Sequence, residues 1–226
     1  MKMKDHKSLL EWFESIMDRS SSDWANTDKG IQWTVDILED EETAAVVSFD
    51  STNGKAWESG WITNYNFFHR KAVFTEDGQS FRGHRGFINA YKEMRAGLIE
   101  KTPSDVKRIW ITGYSQGGAI ATLAYKDLKH KFPEADIECI TFASPRVFGS
   151  WTARKLRKTF KDNFLRVFVR GDTVTHSPPA ILGFSHVGKS QGAGILGALL
   201  FPLTPVLRLI MGSVFHHPRN YKRLLK

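Results

Sequence analysis

The chain has 226 residues, 41% of them hydrophobic and 25% charged, the balance of a soluble globular protein long enough to bury a core. A single cysteine, Cys139, excludes an intrachain disulfide, and no Cys/His cluster is spaced to hold a metal. The net charge of +8 comes from scattered basic residues without a stripe of interleaved aromatics, which argues against a nucleic-acid partner and suits anionic lipid headgroups better.

Residues 1–22 contain no uninterrupted apolar run of the kind a secretory signal needs, so a cytoplasmic location is expected, with association at a membrane surface compatible with the charge. Within them, Leu9, Leu10, Phe13, Ile16 and Met17 recur at helical spacing and predict an amphipathic helix packed on the domain. Four apolar runs then read as buried strands: Ala44–Phe49, Arg108–Thr112, Ile137–Phe142 and Phe164–Val169. Between the second and third, Ile120, Leu123, Ala124 and Leu128 place one apolar face on a helix over Gly117–Lys131. Strands alternating with helices predict an α/β fold with a mostly parallel sheet, as one domain over residues 1–226. Residues 190–215 are largely apolar, but Pro202, Pro205 and several glycines interrupt them. That segment reads either as a lid or membrane-docking element or as a buried helical hairpin.

The chemistry is carried by Gly113-Tyr114-Ser115-Gln116-Gly117, a G-x-S-x-G pattern between an apolar strand and a glycine-rich helix start. A sharp strand-to-helix turn lifts a serine hydroxyl into the open, and only small residues tolerate the crowded backbone beside it. The helix start also turns free N–H groups toward developing negative charge. A serine needs a base, and the base needs an orienting acid. In the fold these features imply, the acid and then the histidine follow the serine in the chain. Asp172, just past the strand Phe164–Val169, is the candidate acid; His176, His186, His216 and His217 are the candidate bases.

Several motifs in order resemble the class 3 lipases, the fungal-lipase-like branch of the α/β-hydrolases. Gly113–Gly118 resembles that family's G-H-S-L-G-G elbow, with Tyr114 and Gln116 in place of His and Leu. Residues 141–149, TFASPRVFG, resemble T-F-G-S-P-R-V-G, and residues 83–87 resemble V-H-x-G-F. Arg170 through Pro179 resembles the acid loop N-D-x-V-P-x-L-P-P. The resemblance covers about residues 44–221 and implies the α/β-hydrolase fold, with helices flanking the sheet.

Carried across, it implies Ser115 as nucleophile, Asp172 as acid and His216 as base, with the adjacent His217 as the alternative. It further implies the backbone N–H of Gln116 as one oxyanion donor. Thr52 would be the second, from Val47–Thr52, which is similar to A-F-R-G-T but has Asp50 and Ser51 in place of Arg and Gly. The implied activity is hydrolysis of acyl esters, as an esterase or lipase, with no metal or organic cofactor. Amidase and thioesterase chemistry use the same triad. A catalytically silent scaffold that binds a lipid or membrane surface is the alternative from another class.

Overall fold

The strand segments are apolar on both faces, so the sheet they form needs a layer of helix on each side. The computed structural model describes residues 7–18, 23–27, 31–39, 42–51, 68–74, 80–193 and 215–225. In chain order its elements are α1 (Leu9–Met17), β1 (Ala25–Asn26), β2 (Ile31–Glu39), β3 (Thr43–Ser51), β4 (His69–Ala72), β5 (Phe81–His84) and α2 (Arg85–Lys101). There follow β6 (Arg108–Tyr114), α3 (Gln116–Lys131), β7 (Asp136–Phe142), β8 (Phe148–Gly149), α4 (Ser150–Leu156) and β9 (Phe164–Val169). Last come β10 (Phe184–Ser185), β11 (Lys189–Ala193) and α5 (Pro218–Leu225). Among the described residues, seven strands form the main sheet in the order β1-β2-β3-β6-β7-β9-β11. The pairs β1–β2 and β2–β3 are antiparallel and the rest parallel. The expected α/β-hydrolase architecture is therefore present. A small antiparallel sheet, β10-β8-β5-β4, stands beside it.

Period-two alternation divides the core between the two faces. Ile109, Ile111, Ile137 and Cys139 face α2 and α3, packing with Leu98, Ile120, Leu123 and Leu128. Trp110, Tyr114, Ile140, Phe142 and Val167 face the other way, onto Trp12, Phe13 and Ile16 of α1 and Tyr221 of α5. Helix α1 starts at a capping box in which Ser8 and Glu11 satisfy each other's backbone N–H. The terminal helices α1 and α5 therefore cover the face opposite α2 and α3, and the salt bridge Lys222–Glu14 (2.7 Å) ties them together.

Four tyrosines, Tyr91, Tyr114, Tyr125 and Tyr221, have their phenol pKa raised, first because burial penalises the phenolate and then because carboxylates or the Cys139 side chain lie near. Tyr91 donates to Asp127 (2.8 Å), which also receives Arg95 (2.7 Å) and so joins α2 to α3. The folded protein keeps these phenols protonated where an unfolded chain would ionise them, near pH 10. Stability from this source is therefore complete below about pH 10 and is lost as pH rises further, at roughly 1.4 kcal/mol per pH unit for each tyrosine. Tyr125 lies away from the candidate site and packs on Phe160 and Phe164. In urea unfolding between about pH 9 and 11.5, Tyr125→Phe is expected to flatten the alkaline decline by one proton's worth. A decline as steep as wild type would refute the attribution.

Candidate active site

The carboxyl end of β6 runs into α3 through Ser115, whose φ of 55° and ψ of −121° lie where non-glycine residues are strained. The flanking glycines make the turn sterically possible. A Cβ on Gly113 would stand 2.4 Å from the carbonyl oxygen of Gly117, and one on Gly117 would stand 2.2 Å from that of Phe49. Both separations are far inside van der Waals contact. Ser115 N donates to Phe142 O (2.9 Å), pinning the elbow to β7. The backbone N–H groups at Gln116 and the residues after it are those a helix start leaves without intrahelical acceptors.

Ser115 Oγ lies 2.7 Å from Nε2 of His216, and His216 Nδ1 lies 2.9 Å from Oδ2 of Asp172. The tautomer this requires carries its proton on Nδ1, donated to the carboxylate, and presents Nε2 as acceptor to the serine hydroxyl. Asp172 is fully buried. Its charge is compensated by His216, by the hydroxyl of Tyr221 (2.6 Å to Oδ2) and by the backbone N–H of Val174 (2.9 Å to Oδ1). Tyr221 in turn accepts from Val169 N (3.1 Å), which fixes α5 to the end of β9. Burial, then the neighbouring Asp172 charge, raises the Tyr221 pKa, so it remains a donor at neutral pH. Tyr114 stacks on the His216 ring (5.4 Å, 22°) and donates its hydroxyl to the His216 carbonyl. Phe13 of α1 packs against both Tyr114 and Tyr221.

The structure thus brings together Ser115, Asp172 and His216. His217 points elsewhere, and its Nδ1 accepts from Arg219 N (3.2 Å) at the start of α5. His176 Nδ1 sits on Asp172 O (3.1 Å), and His186 Nε2 donates to Thr175 O (2.7 Å). Burial and then Arg166 lower the His186 pKa to about 3, so its ring is neutral there. Gln116 begins α3 beside the serine. Thr52 lies outside the described residues, as does most of the apolar segment 190–215, of which β11 and Phe215 are seen. Among the described residues no helix is long and apolar enough to cross a membrane, and no group of three or more His, Cys, Asp or Glu is placed to hold a metal. The sequence reading assigns no role to Tyr221. Nothing in a lone tyrosine signals a bond to a carboxylate 49 residues earlier.

A serine on a strained strand-to-helix turn at the carboxyl edge of a mostly parallel sheet, reached by a histidine and a buried aspartate, defines the α/β-hydrolase class. Residues 46–182 match the family described as Lipase (class 3), and the chain belongs to that family. It is 32% identical over 143 residues to a secreted mono- and diacylglycerol lipase of Fusarium solani, covering 60% of this chain and 40% of that protein. A chloroplastic phospholipase A(1) of Arabidopsis thaliana is 32% identical over 133 residues, 58% of this chain and 26% of that protein. The chain therefore spans less than half the length of these relatives. In fold it is similar to a triacylglyceride lipase of Rhizomucor miehei, with a TM-score of 0.62 and 21% identity over 82% of this chain and 76% of that one.

The expectation of a cytoplasmic location is overturned by the Fusarium solani relative, which is named as secreted. That expectation ran from the absence of an apolar leader in residues 1–22. In a chain that spans 40% of its relative, the first residues carry no information about a leader.

Proposed function

We propose that the protein is a serine carboxylic-ester hydrolase that cleaves acyl esters of lipids through an acyl-enzyme. The observation that carries this reading is the contact of Ser115 Oγ with His216 Nε2 at 2.7 Å, on a histidine whose other nitrogen meets a buried carboxylate.

In the first half-reaction His216 Nε2 takes the hydroxyl proton as Ser115 Oγ bonds to the ester carbonyl carbon. The carbonyl π electrons move onto oxygen, where the Gln116 N–H and the positive end of α3 stabilise the charge. When the tetrahedral intermediate collapses, the C–O bond to the alcohol breaks and His216 returns its proton to the leaving alkoxide. Water then repeats the sequence: His216 removes its proton, the acyl–Oγ bond breaks, and the acid departs as Ser115 regains a proton. Asp172 keeps the imidazole in the working tautomer and stabilises its cationic form. Losing one oxyanion donor in such a site costs about 3–4 kcal/mol in barrier height.

The names of the relatives support acylglycerols or phospholipids as substrates, and the secreted relative supports action outside the cell. The test is hydrolysis of p-nitrophenyl esters of increasing acyl length by wild type and Ser115→Ala, together with labelling by a serine-directed fluorophosphonate. Turnover and labelling by wild type, both lost in the folded variant, are expected. The acyl-length profile separates lipase from short-chain esterase. Folded wild type that neither turns over ester nor takes the label would leave a lipid-binding scaffold as the better reading.

A further inference from the structure

Two separate segments meet around the ring of His69. Its Nε2 donates to Leu182 O (3.0 Å), and its ring stacks flat on Phe184 at 4.0 Å. Gly149 and Gly183 approach the same ring so closely that added Cβ atoms would lie 3.1 and 3.4 Å from it. Ser150 N donates to Gly183 O (2.8 Å), and the Ser150 and Ser185 hydroxyls are 2.8 Å apart. This junction is closely packed, yet the residues beside it hold large apolar side chains out of the protein. Ile181 is 93% exposed, Phe68 72%, Trp151 65% and Leu182 46%. Singly these would mean nothing; four around one braced junction mark a contact surface.

The described charged side chains nearest them are basic. Residues 143–161 contain no Asp or Glu, and Arg154, Lys155, Arg157 and Lys158 are all exposed, as are Lys71 and Arg82 on the adjoining β4–β5 hairpin. Lys155 Nζ lies 3.6 Å over the Trp151 ring, leaving an indole that is apolar at its edge and cationic at its face. Ile181 and Leu182 stand on a single 3-10 turn, Ala180–Leu182, a protruding shape rather than a flat face. Cations over a few projecting Trp, Phe and Ile side chains match a bilayer interface: apolar tips enter the acyl boundary, indole sits at headgroup depth, and Lys and Arg meet phosphate.

We infer that the face formed by Phe68, Trp151, Ile181 and Leu182, with the cations of α4 and Lys71 and Arg82, docks the protein on an anionic phospholipid surface. The inference deepens the ester-hydrolase reading and rests on it only for its purpose. Asp172 and the docking turn belong to one stretch of chain, Asp172–Leu182. Arg146 braces that stretch by donating from Nη1 to Pro178 O (2.9 Å) and to His176 O, and from its backbone N–H to Ser177 O (2.7 Å). Docking on this face would therefore hold the reaction centre near lipid.

The experiment floats the full chain, carrying Ser115→Ala so that lipid stays intact, with vesicles of phosphatidylcholine with or without phosphatidylglycerol. Binding to the anionic vesicles that falls with added salt is expected. Trp151→Ala with Ile181→Ser should weaken it by about tenfold or more, and Arg154→Ala and Lys158→Ala by about fivefold each. With Ser115 in place, the same substitutions should leave turnover of a soluble short-chain ester unchanged, which also checks their folding. If vesicle binding behaves as described but no variant or wild type hydrolyses ester, the docking surface stands and the hydrolase reading falls. Absence of binding to anionic vesicles, equal binding to phosphatidylcholine alone, or binding that neither set of substitutions weakens would overturn the proposal. Tight binding to polyglutamate that survives the apolar substitutions would assign the face to an acidic protein instead.

Discussion

Asp172→Asn is expected to lower kcat on a soluble ester by about four orders of magnitude while the protein remains folded. The size of the effect follows from what meets the two carboxylate oxygens. Oδ2 receives the His216 ring N–H and the Tyr221 hydroxyl, and Oδ1 receives the Val174 N–H. An asparagine amide has one acceptor and one donor end, so it cannot satisfy both sides. With its oxygen toward His216, the NH2 faces the Val174 N–H, donor against donor. Turned the other way, the NH2 faces Nδ1, and the imidazole relieves the conflict by moving its proton to Nε2. That tautomer presents N–H to Ser115 Oγ and can no longer accept the serine proton. Either way a buried group goes unpaired, at about 1–3 kcal/mol of stability. Steady-state kinetics with a thermal melt decides it: a variant within tenfold of wild-type kcat would mean that Asp172 does not set the His216 tautomer.

The parts of this fold that were readable from sequence are those where packing imposes a simple period. Strands covered on both faces must be apolar throughout, so β3, β6, β7 and β9 stand out as runs, and α3 shows the spacing of a helix pressed on a sheet. The elbow was readable because its glycines answer a backbone clash that no other residue survives. Asp172 followed from its place after β9. Other features depend on which groups meet in space. Neighbouring His216 and His217 are equivalent to any spacing argument. They part because Tyr114 holds the carbonyl of the first and Arg219 N takes the ring of the second. The two-residue strands β8 and β10 are too short to show a period, and they are defined by pairing with each other across more than thirty residues of chain.

Gly117→Ala tests the elbow itself, and the expected result is a loss of about 3–5 kcal/mol or failure to fold. The new Cβ would lie 2.2 Å from Phe49 O, 2.5 Å from Phe49 C and 2.8 Å from Asp50 N. All three are main-chain atoms of β3, a central strand hydrogen-bonded on both edges to β2 and β6, so no rotamer change can make room. Relief requires β3 to move away from α3, which opens the core around the fully buried Phe49. Gly97→Ala is the matched comparison. It also lies in a helix, α2, but its Cβ would meet the edge of the Trp33 ring at 3.2 Å, and a side chain can yield by tenths of an ångström. The helix preference of alanine over glycine, about 1 kcal/mol, then offsets that small shift, and near-neutral stability is expected. Urea denaturation of the two variants separates backbone collision from the general effect of adding a methyl group. Equal stabilities would mean that the close approach of Gly117 to Phe49 is not what requires glycine there.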